Sequence, residues 1–260
     1  MPLTSRLSGV RGLLVDLEGT LYEAGRPVPG ADRALEALSE RGLPYCFVTN
    51  TTSRPRSKLV AELAAMGIHC EAGRIFTAPR AAREYLLARS MTRCDLMVAS
   101  SVLEDFAGIE QAQESPDAVV VGDIGEGFSY SRMNQAFRFL LDGASFVTLA
   151  RNRYYRAANG LVLDQGPFVA ALEYASGREA MLVGKPSPEF FRPALDFLGV
   201  PARAAAVVGD DLEVDIGGGQ ALGLCGILVR TGKFRQDDFS RSPVRPDAVI
   251  DSFAGIAEVF

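Results

Sequence analysis

The sequence predicts a doubly wound, Rossmann-like α/β protein with a parallel-sheet core and a second α/β module inserted into it. Three observations carry that expectation. Short apolar runs of strand length alternate with amphipathic helical patterns, as in a parallel sheet wrapped by helices. Runs near both ends of the chain finish in acidic or polar residues. Between them lie about a hundred residues with a strand and helix series of their own, enough for a separate module.

Taken in order, "GLLVDL" reads as a strand ending on Asp16, and "PGADRALEALSERG" as a helix with Leu35 and Leu38 on one face and Gly42 as its stop. "PYCFVTN" is the next strand. The helix in "SRPRSKLVAELAAMG" is expected to open on a capping Ser53 and to carry Leu59, Leu63 and Met66 at helical spacing. The inserted series holds strand-like "DLMVAS", "DAVVVGD" and "SFVTLA" and helix-like "SRMNQAFRFLLDG" and "GPFVAALEYASG". The first rhythm then returns with "AMLVGK" as strand, "SPEFFRPALDFLG" as helix, "AAAVVGDD" as strand, "GGGQALG" as helix, "CGILVR" and "DAVI" as strands, and a terminal helix. These readings divide the chain into core residues 1–77, an inserted module over 78–178 and core residues 179–260.

Composition narrows the function. The 260 residues are 48% hydrophobic and 23% charged with a net charge of −5, and the basic residues are scattered, so no footprint for a nucleic acid appears. No apolar run approaches the roughly 18 residues of a membrane span, and the run before Asp16 is too short for a signal-peptide core, so a cytoplasmic protein is expected. Cys46, Cys70, Cys94 and Cys225 lack C-x-x-C spacing and read as reduced structural thiols. His69 is the sole histidine and falls where a helix runs into a loop.

In a doubly wound sheet, reactive groups gather at the carboxyl ends of strands. Four such ends carry polar residues here: Asp16 and Glu18, Thr49 and Asn50, Lys185, and Asp210, Asp211 and Asp215. Each alone is more often a helix cap or a solvated strand end. Together they suit phosphoryl transfer through an aspartate, in which a carboxylate attacks phosphorus to form an acyl phosphate. Two anions repel, so the attack needs a divalent cation, and Mg²⁺ suits an all-oxygen site that Asp16 and Asp210 can supply. Lys185 and Thr49, with main-chain amides near Glu18 and Asn50, can cover the phosphate oxygens. Glu18, two residues after Asp16, is placed to move a proton to the leaving group and from the attacking water.

At these residues the sequence resembles the haloacid dehalogenase superfamily of phosphatases. Its four motifs appear in order as "DLEGT", "FVTN", "GKPSPEFF" and "GDDLEVD", and the wide gap between the second and third matches the subgroup with an inserted α/β cap. The resemblance implies Asp16 as nucleophile, Thr49 and Lys185 as phosphate holders, Asn50 as an amide donor and Asp210 as a Mg²⁺ ligand. It implies the main-chain carbonyl of Glu18 as a further metal ligand, and Asp215 at the metal or just behind it, orienting a ligand water or Lys185. The departure is Glu18 itself, where the superfamily usually has Asp. Its extra methylene bears on proton placement and favours substrates with good leaving groups.

In the module, "LARNRYYRAANG" reads as a loop whose Arg153 can meet an anionic leaving group, against the plain alternative of a solvated arginine. The phenylalanine pairs Phe137 and Phe139, and Phe190 and Phe191, read as core. The expected substrate is a small phosphorylated compound: a phosphomonoester, a phosphoramidate or pyrophosphate. The module's helices offer a surface for a homodimer. A catalytically weak or inactive regulatory protein of the same fold is the alternative reading.

Overall fold

A computed structural model describes residues 6–157 and 160–260. The described residues form two units, one from residues 6–49, 57–76 and 185–260 and the other from residues 50–56, 77–157 and 160–184. The first is built on a six-stranded sheet. Read across it, the strands are Ala248–Ile250, Cys225–Val229, Ala205–Gly209, Gly12–Asp16, Tyr45–Thr49 and Ile75–Thr77. Gly12–Asp16 lies at the centre, parallel to both neighbours, with Val15 opposite Val208 and Asp16 opposite Val48. Every residue of this strand is buried, as its unbroken apolar run requires of a strand covered on both faces.

Helix Ala31–Glu40 turns Ala31, Ala34, Leu35 and Leu38 onto one side of the sheet and ends before Gly42, which adopts φ of 66°. Helix Pro188–Leu198 buries Phe190, Phe191, Ala194 and Leu195, with Ser187 capping its first turn through the Glu189 N–H. Phe190 and Phe191 are fully buried, as read from the sequence. The terminal segment Phe253–Glu258 is 3₁₀-helical and buries Phe253 and Ile256.

The second unit has its own five-stranded sheet, ordered Met181–Leu182, Ser145–Thr148, Ala118–Val121, Arg93–Met97 and Glu110–Gln111, all parallel. Helices Tyr130–Leu141 and Gly166–Ser176 help close one apolar cluster, against which Phe137 and Phe139 pack. "AMLVGK" does form a strand, but as Met181–Leu182 it pairs with Ser145–Thr148 in this sheet and not in the core sheet. The loop expected in "LARNRYYRAANG" is partly strand, since Tyr154–Ala157 pairs antiparallel with Gly160–Leu163.

The second helix begins later than its capping signal. Ser53 precedes it, and the helix runs Arg56–Ala65 after Pro55. Its first N–H, at Arg56, donates to Oδ2 of Asp105 at 3.1 Å, while the Arg56 guanidinium meets Oδ1 of the same carboxylate at 2.6 Å. A distant, buried acid therefore takes the role expected of Ser53, whose carbonyl accepts from the Ser101 hydroxyl. Leu59 and Leu63 are buried and Met66 packs against the core, as its spacing predicts. All four cysteines are free, and among the described residues no helix is long and apolar enough to cross a membrane.

Because the Asp105 carboxylate both caps a helix and balances Arg56, Asp105→Ala should lower stability by about 1–2 kcal/mol. Chemical denaturation checks this, and an unmoved midpoint would remove Asp105 from the helix start.

Candidate active site

The parallel register carries Asp16, Thr49 and Asp210 to one edge of the core sheet. Asp16 and Thr49 are the last residues of adjacent strands, and Asp210 follows Gly209, the last residue of the strand on the other side. From there the chain makes a widened helical turn, Leu212–Gly217, which buries Asp215. Wide turns of this kind re-aim side chains next to functional sites. Asp211 opens the turn by accepting the Val214 N–H at 3.0 Å.

Lys185 completes the group. Its Nζ lies 2.6 Å from Oδ1 of Asp16 and 2.6 Å from Oδ1 of Asp215, with all three side chains nearly inaccessible to water. Thr20 places its hydroxyl 3.4 Å from the other Asp16 oxygen, and the Asp211 N–H donates to Asp215 Oδ2 at 3.2 Å. The Phe190 ring lies 5.8 Å beneath the ammonium.

Burial dominates the electrostatics. It pushes the Asp16 carboxyl from 3.8 up to about 7, against the lowering by Lys185 and with a further rise from Asp215. Burial likewise raises Asp210 to about 6, opposed chiefly by the main-chain N–H of Lys233. For Lys185, burial disfavours the charge, but Asp16 and Asp215 outweigh it and hold the ammonium above its ordinary range.

One oxygen from each of Asp16, Asp210 and Asp215 lies within 4.8 Å of the others, and all three residues are buried. Three carboxylates against the one buried ammonium leave the cluster negative, and oxygen is the donor that a hard divalent cation prefers. The residues therefore fit Mg²⁺. The main chain makes room for them: Gly19 has φ of 88°, and a Cβ there would lie 1.9 Å from Asp210 Oδ2. Only glycine permits that approach.

Residues 13–109 match the family described as haloacid dehalogenase-like hydrolase, and residues 182–256 match the HAD-hydrolase-like family. The rat phospholysine phosphohistidine inorganic pyrophosphate phosphatase (Rattus norvegicus) is 42% identical over 96% of this chain and 93% of its own. The chain belongs to the haloacid dehalogenase-like hydrolases. The human haloacid dehalogenase-like hydrolase domain-containing protein 2 is 42% identical over 94% of this hydrolase and 93% of its own length. The solved 4-nitrophenylphosphatase of Thermotoga maritima superposes with a TM-score of 0.90 at 28% identity, covering 97% of this chain and 98% of that one. The p-nitrophenyl phosphatase of Archaeoglobus fulgidus does so with a TM-score of 0.89 at 28% identity, over 96% and 99%.

Of the residues singled out in the sequence of this hydrolase, Asp16, Lys185, Asp210 and Asp215 stand together, and Thr49 is buried at the end of the strand beside Asp16. The Glu18 side chain is exposed and outside the acidic cluster, and its backbone bridges to Tyr22. Asn50 and Arg153 belong to the second unit, Asn50 half-buried and Arg153 exposed. Sequence reasoning gave no role to Thr20, the last residue of "DLEGT", or to the turn Thr231–Lys233 in "VRTGKF", which touches the acidic loop from a later strand. Thr20 had a local signal in its motif. The turn had only its place after a core strand.

Lys185→Met leaves the Asp16 and Asp215 carboxylates buried without their cation, and breaking such a pair costs about 3–5 kcal/mol. Asp16 already has a folded-state value, about 7, above its ordinary 3.8, so its ionisation costs stability progressively as pH rises between those values. Without Lys185 that cost grows. The melting temperature of Lys185→Met should therefore fall furthest below wild type above pH ~7 and converge toward it near pH ~4. A pH-independent difference would show that the ammonium does not set the state of Asp16.

Proposed function

We propose that this phosphatase of the haloacid dehalogenase-like family is Mg²⁺-dependent and hydrolyses a small phosphorylated compound through a phosphoaspartyl intermediate on Asp16. Its substrate is a phosphomonoester, a phosphoramidate or pyrophosphate. The observation that carries the reading is the buried Asp16–Lys185–Asp215 network at the sheet edge, with the Asp210 carboxylate beside it. A carboxylate held at the carboxyl end of a central strand by an ammonium is fixed in direction, which attack on phosphorus requires.

In the first step an Asp16 oxygen bonds to phosphorus while the bond to the leaving oxygen or nitrogen breaks. The departing atom takes its proton from Glu18. In the second, water attacks the acyl phosphate, Glu18 accepts the water proton, and phosphate leaves with Asp16 restored. Lys185 and Thr49, with the main-chain amide of Asn50, hold phosphate oxygens. Asp16, Asp210 and the main-chain carbonyl of Glu18 would hold Mg²⁺, with Asp215 behind them orienting Lys185. The cation would offset the repulsion between carboxylate and phosphate. The exposure of Glu18 supports its proton role, since a proton donor must reach both leaving group and water.

The inserted module, read over 78–178, is in this proposal the cap that selects the substrate, with Arg153 as its contact to an anionic leaving group. A cytoplasmic site of action and a homodimer formed through module helices belong to the same reading. The intact set Asp16, Thr49, Lys185 and Asp210 weighs against an inactive regulatory protein.

Asp16→Asn should reduce para-nitrophenyl phosphate hydrolysis to background, and EDTA should do the same to wild type until Mg²⁺ is restored. Unchanged phosphate release in either case would sink the mechanism. Glu18→Ala should lower kcat on an alkyl phosphate by ~10²–10⁴, with a smaller loss on the aryl ester, whose leaving group needs less help. Equal rates for Glu18→Ala, Glu18→Asp and wild type on the alkyl ester would remove Glu18 from proton transfer.

A further inference from the structure

The stretch "VRTGKF" follows the core strand Cys225–Val229, which pairs with Ala205–Gly209, and so delivers residues 231–233 to the edge that carries Asp210. We propose that the turn Thr231–Gly232–Lys233 is a clasp that sets the orientation of the Asp210 carboxylate for cation binding, with Thr231 and Lys233 as positioning residues. The inference rests on the Mg²⁺ reading above.

Three main-chain groups enclose one oxygen of Asp210. The Lys233 N–H donates to Oδ2 at 2.7 Å. A Cβ on Gly232 would come within 2.0 Å of that oxygen and within 2.6 Å of the Gly19 Cα, and a Cβ on Gly19 would meet the oxygen at 1.9 Å. Gly232 also has φ of 58°, a conformation that L side chains rarely adopt. A carboxylate is planar, so fixing one oxygen on a main-chain donor between two glycines fixes the direction of the other.

The clasp is itself anchored on both sides. The Thr231 hydroxyl donates to the Gly19 carbonyl, and the Gly232 N–H donates to Oε1 of Glu23. The Lys233 ammonium reaches Oδ2 of Asp211 at 3.0 Å, tying the turn to the residue after Asp210. The same three residues therefore hold the loop that follows Asp16 and the loop that carries Asp210. Thr231 restrains the Gly19 carbonyl, one peptide beyond the Glu18 carbonyl assigned to the metal. Partners of this outer kind, which orient a ligand without touching the ion, typically contribute 10–100-fold to metal affinity.

The test is calorimetric Mg²⁺ titration of the full chain, with melting temperatures measured in EDTA. Thr231→Val removes only the hydroxyl and keeps the side-chain shape. It should raise the Kd for Mg²⁺ by ~10-fold or more, with little change in metal-free melting, and Thr231→Ser should restore the wild-type Kd. Gly232→Ala should raise the Kd at least as much. A wild-type Kd in Thr231→Val overturns the clasp whether or not Gly232→Ala folds, and so does failure of Thr231→Ser to restore binding. Asp210→Asn separates the two readings. If wild type and Asp210→Asn bind Mg²⁺ alike, the metal site is wrong and the clasp falls with it. If only Asp210→Asn loses binding while Thr231→Val does not, the metal reading stands and the clasp alone is wrong.

Discussion

Two carboxylates share one ammonium at the edge of the core sheet, and most of the local structure answers to that arrangement. Lys185 sits 2.6 Å from both Asp16 and Asp215 with almost no access to water. Burying three charges costs several kcal/mol per ion before their attraction returns anything, and apolar residues of similar volume often serve stability as well or better. The chain accepts this cost at a strand end, where burial raises the Asp16 carboxyl to about 7 against the opposing pull of Lys185, which holds it by a hydrogen bond. A perturbed carboxyl with named charge partners is the expected mark of a working site.

Around that network the fold supplies placement and little else. The central strand brings Asp16 between Thr49 on one side and the Asp210 loop on the other by parallel register alone. The wide turn Leu212–Gly217 then brings Asp215 back to the ammonium, with Asp211 as its opening cap. Gly19 matters for what it lacks, since any side chain there would displace Asp210. The site is thus assembled from three distant stretches of chain: Asp16 and Asp210 meet because their strands are neighbours, Asp215 returns through the wide turn, and Lys185 arrives from outside the core strands.

Much of this was legible in the sequence, for a physical reason. Strands buried on both faces must be continuously apolar, so "GLLVDL" and "AAAVVGDD" announce both the strand and the polar residue that ends it. The helix in "PGADRALEALSERG" was equally plain, with its buried face and its glycine stop. What escaped were features decided by partners far along the chain. Ser53 looks like a cap, yet Asp105, 49 residues away from Arg56, supplies the acceptor. "AMLVGK" is strand-like, but two paired residues carry no mark of the sheet they will join. Lys233 is read by its backbone N–H, which every residue except proline possesses, so its identity gives no warning of its place.

The central position of Gly12–Asp16 has a consequence for biosynthesis. One of its neighbours, Tyr45–Thr49, follows within a few dozen residues, but the other, Ala205–Gly209, comes near the end of the chain. The partner of Asp16, Lys185, lies 169 positions downstream. At ordinary translation speeds of about 5–20 residues per second, the nascent chain carries an apolar strand with one open edge, tipped by an unpaired acid, for roughly 10–30 s. An exposed edge of that kind is a template for pairing with other chains. Lys185 therefore arrives before the strand that closes this edge of the sheet, and Asp210 and Asp215 arrive after it, so until then the open edge depends on whatever shields it at the ribosome.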